Sequence, residues 1–163
     1  MQILNHRQIE QKIRRLAIEI MERNTEEREL VIAGINNAGM TLARLLHAEI
    51  TALATSPIYL TRIHLSPANP LAEPVTLDMP VEELSGRPIL IVDDVANTGR
   101  TLHYAMKPLL DVLPKKIEIA VMVDRKHKSF PIRPDYVGLE LATTLREHID
   151  VRFEEGNYAV YLN

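Results

Sequence analysis

Residues 89–101 read ILIVDDVANTGRT. Four apolar residues, Ile89–Val92, suffice for a buried strand and are too few for a helix. The spacing predicts that this strand carries two adjacent carboxylates, Asp93 and Asp94, to its exposed end. A polar turn then closes on Asn97, Thr98 and Gly99, and a helix starts at Thr101. Ala96, Thr98, Gly99 and Thr101 are small or hydroxyl-bearing, so a ligand can come close to the backbone. Their N–H groups, with the positive end of the helix, suit a phosphate. The two carboxylates would repel that phosphate on contact and belong on neutral hydroxyls or near a cation. A ligand with a phosphate at one end and a vicinal diol beside it satisfies both demands. Ribose 5-phosphate has that shape.

The rest of the chain frames this segment. Ile9, Ile13, Leu16, Ala17 and Ile20 recur at steps of three and four, which predicts an amphipathic helix over 6–23 with Asn5 as its cap. Leu30–Gly34 reads as a second buried strand. A polar turn, Asn36–Gly39, and a helix over Thr41–Ile50 follow, the opening of a βαβ unit. Residues 58–65 alternate as a strand. Residues 66–80 hold Pro67, Pro70, Pro74 and Pro80 and are expected to be irregular, as lids and binding loops are. Pro108 is expected to kink the helix begun at Thr101. Further strands are expected over 117–123, 136–139, 151–154 and 158–162, with a basic, Pro-punctuated segment over 124–135. Strands alternating with helices imply a mostly parallel, Rossmann-like sheet covered on both faces. In such sheets ligands sit beyond the carboxyl ends of the strands. The loops at 34–41, 93–101 and 124–135 fall there.

Composition narrows the classes. The chain has 163 residues, about one domain's worth. Its formal net charge of −3 argues against a protein whose main task is coating nucleic acid. The absence of cysteine removes disulfides, thiolate nucleophiles and cysteine zinc sites together. Five Tyr, two Phe and no Trp supply a poor stacking platform for single strands. The six His residues show no metal-ligand spacing. No apolar run approaches the roughly 20 residues of a membrane span. The N-terminus turns polar and basic at once, without a signal-peptide core, so a cytoplasmic location is expected.

The 89–101 segment resembles the phosphoribosyl pyrophosphate (PRPP) signature of type I phosphoribosyltransferases. Within them it is most similar to the pyrimidine-operon regulators that double as uracil phosphoribosyltransferases. The supporting pieces are the helix ending EIMERN, the strand LVIAGI, and VMVDRKHKSFPIRPDYVG at Val121–Gly138, which is similar in order and spacing to that group's VDRxHxxxPIxxDYVG. The resemblance implies a single domain over 1–163, with about five parallel strands, helices on both faces and a small hood. Residues 58–85 and 124–163 would supply the mobile loop and hood. It implies Mg²⁺-dependent transfer of the phosphoribosyl group of PRPP to a nucleobase, a pyrimidine such as uracil, with release of pyrophosphate. Mg²⁺ would be held mainly by substrate oxygens and water, with no certain protein ligand.

By the same resemblance Asp93 and Asp94 contact the ribose hydroxyls. Ala96, Asn97, Thr98, Gly99, Arg100 and Thr101 hold the 5-phosphate. Asn36, Asn37, Ala38 and Gly39 form the pyrophosphate loop, and Asp124, Arg125, Val137 and Leu139 shape the base pocket. Arg62 matches the basic residue of the family's LYRDD segment and joins Asp93 and Asp94 as a catalytic candidate. A homodimer or larger homo-oligomer is implied. RNA, which the regulator relatives bind, is a further partner against which the acidic total counts.

The chain departs from the pattern in several places, among them Ile63 and His64 for the two acids of LYRDD and Leu139 where relatives often have Lys or an aromatic. Asn37, Ala38 and Gly39 stand where relatives usually have an Arg or Lys, often in a Thr-Arg-Gly triplet. No Lys or Arg occurs between Arg62 and Arg87, where the family's mobile loop normally brings a cation over the pyrophosphate. Asn97 stands where purine-type relatives carry an Asp thought to act on the base. These changes leave PRPP or nucleotide binding expected and put efficient turnover in question. They open the alternative of a non-catalytic, nucleotide-binding regulator.

Overall fold

The computed structural model describes residues 1–144 and 146–163. A short strand β1 (Gln2–Leu4) leads into helix α1 (His6–Arg23). Asn5 caps α1 reciprocally. Its Oδ1 accepts from Gln8 N at 3.0 Å and its own N–H donates to Gln8 Oε1 at 2.9 Å, so two otherwise orphaned amides are satisfied. The buried face is Ile9, Ile13, Leu16, Ala17 and Ile20, the stripe that the spacing predicts.

Strand β2 (Leu30–Ile35) is buried at every position. Helix α2 (Asn36–Leu53) follows without a connecting turn. The polar turn expected over 36–39 is therefore the helix's first turn. Asn36 makes the abrupt junction with φ +51°, a conformation that Asn tolerates better than most residues. Its side chain fixes the geometry: Nδ2 donates to Leu65 O at 2.9 Å and Oδ1 accepts from Leu65 N at 3.0 Å.

Strand β3 (Ile58–His64) is followed by the Pro-rich stretch. That stretch contains one short regular piece, β4 (Thr76–Leu77), paired antiparallel with β3. Strand β5 (Pro88–Ala96) runs past the expected end at Val92 and includes both aspartates. The extension is held by the neighbouring strand β6 (Lys116–Arg125), which pairs Asp93 with Val121 and Val95 with Val123. Helix α3 (Arg100–Ala105) spans only six residues and gives way to a 3-10 helix over Lys107–Asp111. Pro108 explains the break, because it lacks an N–H and its ring crowds the carbonyl four residues back. Strands β7 (Tyr136–Leu141), β8 (Ile149–Glu154) and β9 (Asn157–Leu162) complete the order.

The main sheet has the order β4-β3-β2-β5-β6-β7. Its five strands from β3 to β7 are parallel, and β4 is an antiparallel edge. A second sheet, β1-β9-β8, is antiparallel. One core lies between the main sheet, α1, α2 and the second sheet, with Ile9, Ile32, Leu46, Leu90 and Val160 fully buried in it. The other lies under α3, the 3-10 helix over Lys107–Asp111 and a second one over Val81–Leu84, around Ile89, Ile91, Leu84 and Leu102. Among the described residues, no helix is long and apolar enough to cross a membrane.

The start of α2 lies directly on the ends of β2 and β5. A Cβ placed on Gly34 would stand 2.5 Å from Met40 Cα, and one on Gly39 would stand 2.5 Å from Val92 O. Both obstacles are backbone, so neither can yield by rotating a side chain. Gly39→Ala is expected to destabilise the fold by about 1–3 kcal/mol, the usual cost of overpacking, read as a lower urea midpoint. An unchanged midpoint would show that α2 can lift off the sheet freely.

Candidate functional site

Two adjoining cavities open at the carboxyl ends of the parallel strands. The first, of about 430 Å³, is lined by Pro67 and by the run from Val95 to Leu102. The second, of about 490 Å³, is lined by Ile35 through Ala38, Pro67, Asp93 through Val95, Asn97, Thr101 and His148 through Val151. The run 93–101 contributes to both, and they share Pro67, Val95, Asn97 and Thr101.

The turn that forms the first cavity is fixed from behind. Gly99 has φ +87° and caps α3. A side chain there would be strained by the backbone angle and would press on Ile132, whose Cβ lies 3.1 Å from an ideal Cβ position. Thr98 O accepts from Ser129 N at 2.9 Å and Phe130 N at 3.2 Å. Thr98 and Arg100 are therefore held without a ligand. The Arg100 side chain donates from Nη2 to Pro67 O at 2.7 Å, and Pro67 lines both cavities. Because α3 has barely two turns, backbone N–H groups of the turn, rather than a long helix dipole, carry any attraction for an anion.

The acid pair is less open than the sequence suggests. Asp93 is only 7% exposed, and its carboxylate lies against Gly39, with Oδ1 3.2 Å from an ideal Cβ there. The correction follows from β5 continuing through both aspartates rather than ending at Val92. Asp93 Oδ1 accepts from Asp94 N at 2.9 Å, and Asp94 Oδ1 accepts from Val95 N at 2.8 Å. Burial, reinforced by the neighbouring Asp94 charge, pushes the Asp93 carboxyl well above the ordinary range. Burial also raises Asp94, and Asp150 across the cleft adds to the rise.

On the other side of the second cavity, Asn36, Asn37 and Ala38 are the first residues of α2, with Gly39 buried beneath them. Asn36 offers little to a ligand because both polar atoms of its amide hold Leu65. Asn37 Oδ1 accepts from Arg62 Nη1 at 3.2 Å. Arg62 Nε is buried without a partner among the described residues. His148, Ile149, Asp150 and Val151 also face this cavity, from β8 and the residue before it. No motif or spacing in the sequence marks them, because the second sheet brings them there from far along the chain.

The four expected base-pocket residues fall elsewhere than in these cavities. Asp124 forms an ion pair with Lys128 at 2.6 Å, and Lys128 also donates to the Arg125 carbonyl. Arg125 is 6% exposed. It donates from Nε to Thr143 Oγ1 at 2.6 Å, from Nη1 to Asn97 Oδ1 at 3.1 Å, and from Nη2 to Thr144 O at 2.7 Å. Val137 packs on the core under α3, and Leu139 on the core under α1 and α2. Among the described residues, no group of three or more His, Asp or Glu is arranged to hold a metal ion.

A parallel sheet with this order, a small antiparallel sheet beside it, and an acid pair next to a glycine-capped turn define a phosphoribosyltransferase. Residues 1–155 match the family described as the phosphoribosyl transferase domain. The chain is 38% identical to the "Bifunctional protein PyrR" of Pelotomaculum thermopropionicum over 161 residues, covering 94% of this chain and 89% of that one. It is 35% identical to the protein of the same name in Bacillus subtilis, covering 94% and 90%. A crystal structure of a hypoxanthine-guanine phosphoribosyltransferase from Bacillus anthracis superposes with a TM-score of 0.69 over 86% of this chain and 81% of that one. At 21% identity that likeness concerns the fold. The chain belongs to the type I phosphoribosyltransferase family and is related to the PyrR proteins.

The raised Asp93 carboxyl has a stability consequence with a definite sign. Below about pH 4, the ordinary Asp value, Asp93 is protonated whether the chain is folded or not and costs nothing. As pH rises, the unfolded chain ionises first, and the folded state loses stability up to its own higher value. Asp93→Asn keeps the Oδ1 acceptor and removes the ionisation. Its melting temperature should exceed the wild type's at pH 7, and the difference should shrink toward pH 4. A variant less stable at pH 7, or a difference independent of pH, would contradict the buried placement.

Proposed function

We propose that this protein binds PRPP across the two cavities and transfers its phosphoribosyl group to a nucleobase, a pyrimidine such as uracil, releasing pyrophosphate. The observation that carries this reading is the adjacency of an amide-lined turn and an acid pair on one continuous run, 93–101. The 5-phosphate lies over Ala96 through Thr101, where N–H groups and the Thr98 and Thr101 hydroxyls can donate. The ribose diol donates to Asp94 and Asp93, because a carboxylate accepts from a hydroxyl and does not tolerate a phosphate. The pyrophosphate faces the first turn of α2, where Asn37, Ala38 and backbone amides of that turn meet it, with Arg62 behind Asn37.

Departure of pyrophosphate leaves positive charge on the sugar. The protein contributes by holding both reactants in line, by placing the carboxylates of Asp93 and Asp94 near the developing cation, and by excluding water. No side chain has to act as nucleophile. The hard oxygen donors of Asp94 and Asp150 suit Mg²⁺, but no protein cage of three acids surrounds a single point among the described residues. Mg²⁺ would then arrive with PRPP, neutralise its pyrophosphate and keep most of its waters.

A second reading has its own support. Among the described residues, the second cavity is lined by three carboxylates, Asp93, Asp94 and Asp150, and by no Lys or Arg. A leaving pyrophosphate is poorly matched there. This favours a regulator that binds PRPP or a nucleotide without turnover, with RNA as a further partner. Incubation with PRPP, Mg²⁺ and a panel of bases, assayed for nucleotide and pyrophosphate, separates the two. Product with uracil supports transfer. PRPP binding without product from any base supports the regulator. Failure to bind PRPP or any nucleotide overturns both. Within either reading, Asp94→Asn should weaken PRPP binding by roughly 10- to 150-fold, the worth of a hydrogen bond to a charged group, with the far-UV circular dichroism unchanged.

A further inference from the structure

Helix α3 and the 3-10 helix after it carry apolar side chains both inward and outward. Leu102, Ala105 and Leu109 face the core and are buried. The outward positions of a helix on a protein surface are ordinarily polar. Here they include Leu110 and Leu113, which are 78% and 82% exposed, the two most exposed large apolar side chains among the described residues. Neither hangs on a loose end. Leu109 N donates to Met106 O at 2.9 Å, and Leu113 O accepts from Gly86 N at 2.9 Å, so the backbone holds both leucines in place. Leu110 also borders a groove of about 240 Å³ that it forms with His103, Tyr104, Met106 and Lys107. Phe130 adds a third ring beside it, its centroid 5.4 Å from that of His103 and 6.2 Å from that of Tyr104. The groove shares no lining residue with the two cavities of the cleft.

A helix that is apolar on both faces is a buried helix, so a partner belongs on this one. The charges around the leucines identify it. Lys107 and Asp111 lie on the same 3-10 helix and are exposed. Among the described residues neither forms an ion pair within the chain. The cation precedes Leu110 and the anion follows it, so the patch is complementary to a copy of itself turned end for end. In a twofold contact one patch supplies both sides, and each pairing occurs twice. We propose that this face is a homodimer interface. Two copies of the chain pack α3 and the 3-10 helix about a twofold axis. Leu110 and Leu113 of each meet the groove of the other, and Lys107 of each pairs with Asp111 of the other. The pairing uses no residue of either cavity, so it stands independently of the ribose-phosphate reading.

Sedimentation velocity of the full chain over a range of micromolar concentrations tests this. Wild type should run as a dimer or an even multiple of one. Leu110→Glu combined with Leu113→Glu should run at half that mass, with association weakened by roughly 100-fold or more and the far-UV circular dichroism unchanged. Lys107→Glu sets two acids against each other twice across the axis, and Asp111→Lys does the same with two cations. Each alone should weaken association by roughly 10-fold. An equimolar mixture of these two variants should regain the wild-type association, because each chain then meets the opposite charge at both positions. Should the leucine variant fail to fold, the charge pair decides alone. A wild type that stays monomeric leaves the face to a different partner and overturns the proposal. Unchanged assembly in the leucine variant shows that copies meet elsewhere and overturns it as well. A mixture that regains nothing overturns the twofold pairing, whatever the leucines do.

Discussion

Asp93 sits where its charge is disfavoured. It belongs to neither a loop nor a turn; it is a residue of the central strand β5, pressed against Gly39 at the start of α2. The close approach of α2 to β5 depends on that glycine, and the approach is what closes Asp93 off from water. A carboxyl confined in this way next to a second one resists ionisation. Such a site gains from any ligand that brings hydroxyl donors or a cation to it. The same contact that tightens the core thus prepares the cleft, and the fold carries some instability at neutral pH as a consequence.

The turn after the acid pair is fixed with equal care, but by hydrogen bonds rather than by apolar packing. Gly99 turns the chain at a positive φ, Ser129 and Phe130 hold the Thr98 carbonyl, and Arg125 holds Asn97. These partners come from the end of β6 and the segment after it. The basic stretch over 124–135 therefore supports the site from behind. Two of its four Lys and Arg charges are engaged within the protein, Lys128 with Asp124 and Arg125 with Asn97 and the 143–144 backbone and hydroxyl, while Lys126 and Arg133 are exposed. That internal use leaves less of the segment available as an exposed basic surface.

Much of the architecture was legible because local rules and tertiary demands agree. Over 6–23 the cap, the stripe and the helix limits coincide in sequence and structure. Pro108 marks the end of regular α-helix, as its chemistry requires. Legibility fails where a partner strand overrides local preference. Asp93 and Asp94 are poor strand formers, yet β6 extends the ladder through them. Asn36 and Asn37 look like a turn, and only the clamp on Leu65 shows why the helix can begin there. In the site, the 93–101 run could be singled out because its residues are contiguous. His148 and Asp150 could not, since they enter through the pairing of β8 with β9. Nor could the engagement of Arg125, because nothing in VDRKH reveals three acceptors on distant segments.

The polarity of the cleft follows from these placements. One half offers backbone amides and hydroxyls around 96–101, which suit an anion. The other half gathers three carboxylates and two asparagines, with Arg62 set behind Asn37. An anionic ligand is thus drawn by one end and resisted at the other unless a cation accompanies it. In the proposed binding mode, a nucleoside monophosphate places its one charged group in the favourable half, whereas PRPP must also place pyrophosphate in the unfavourable one. In a low-dielectric cleft that difference is amplified. On that proposal, discrimination between product-like and substrate-like ligands would follow from where the chain has put its acids, with divalent cation concentration as the variable that moves it.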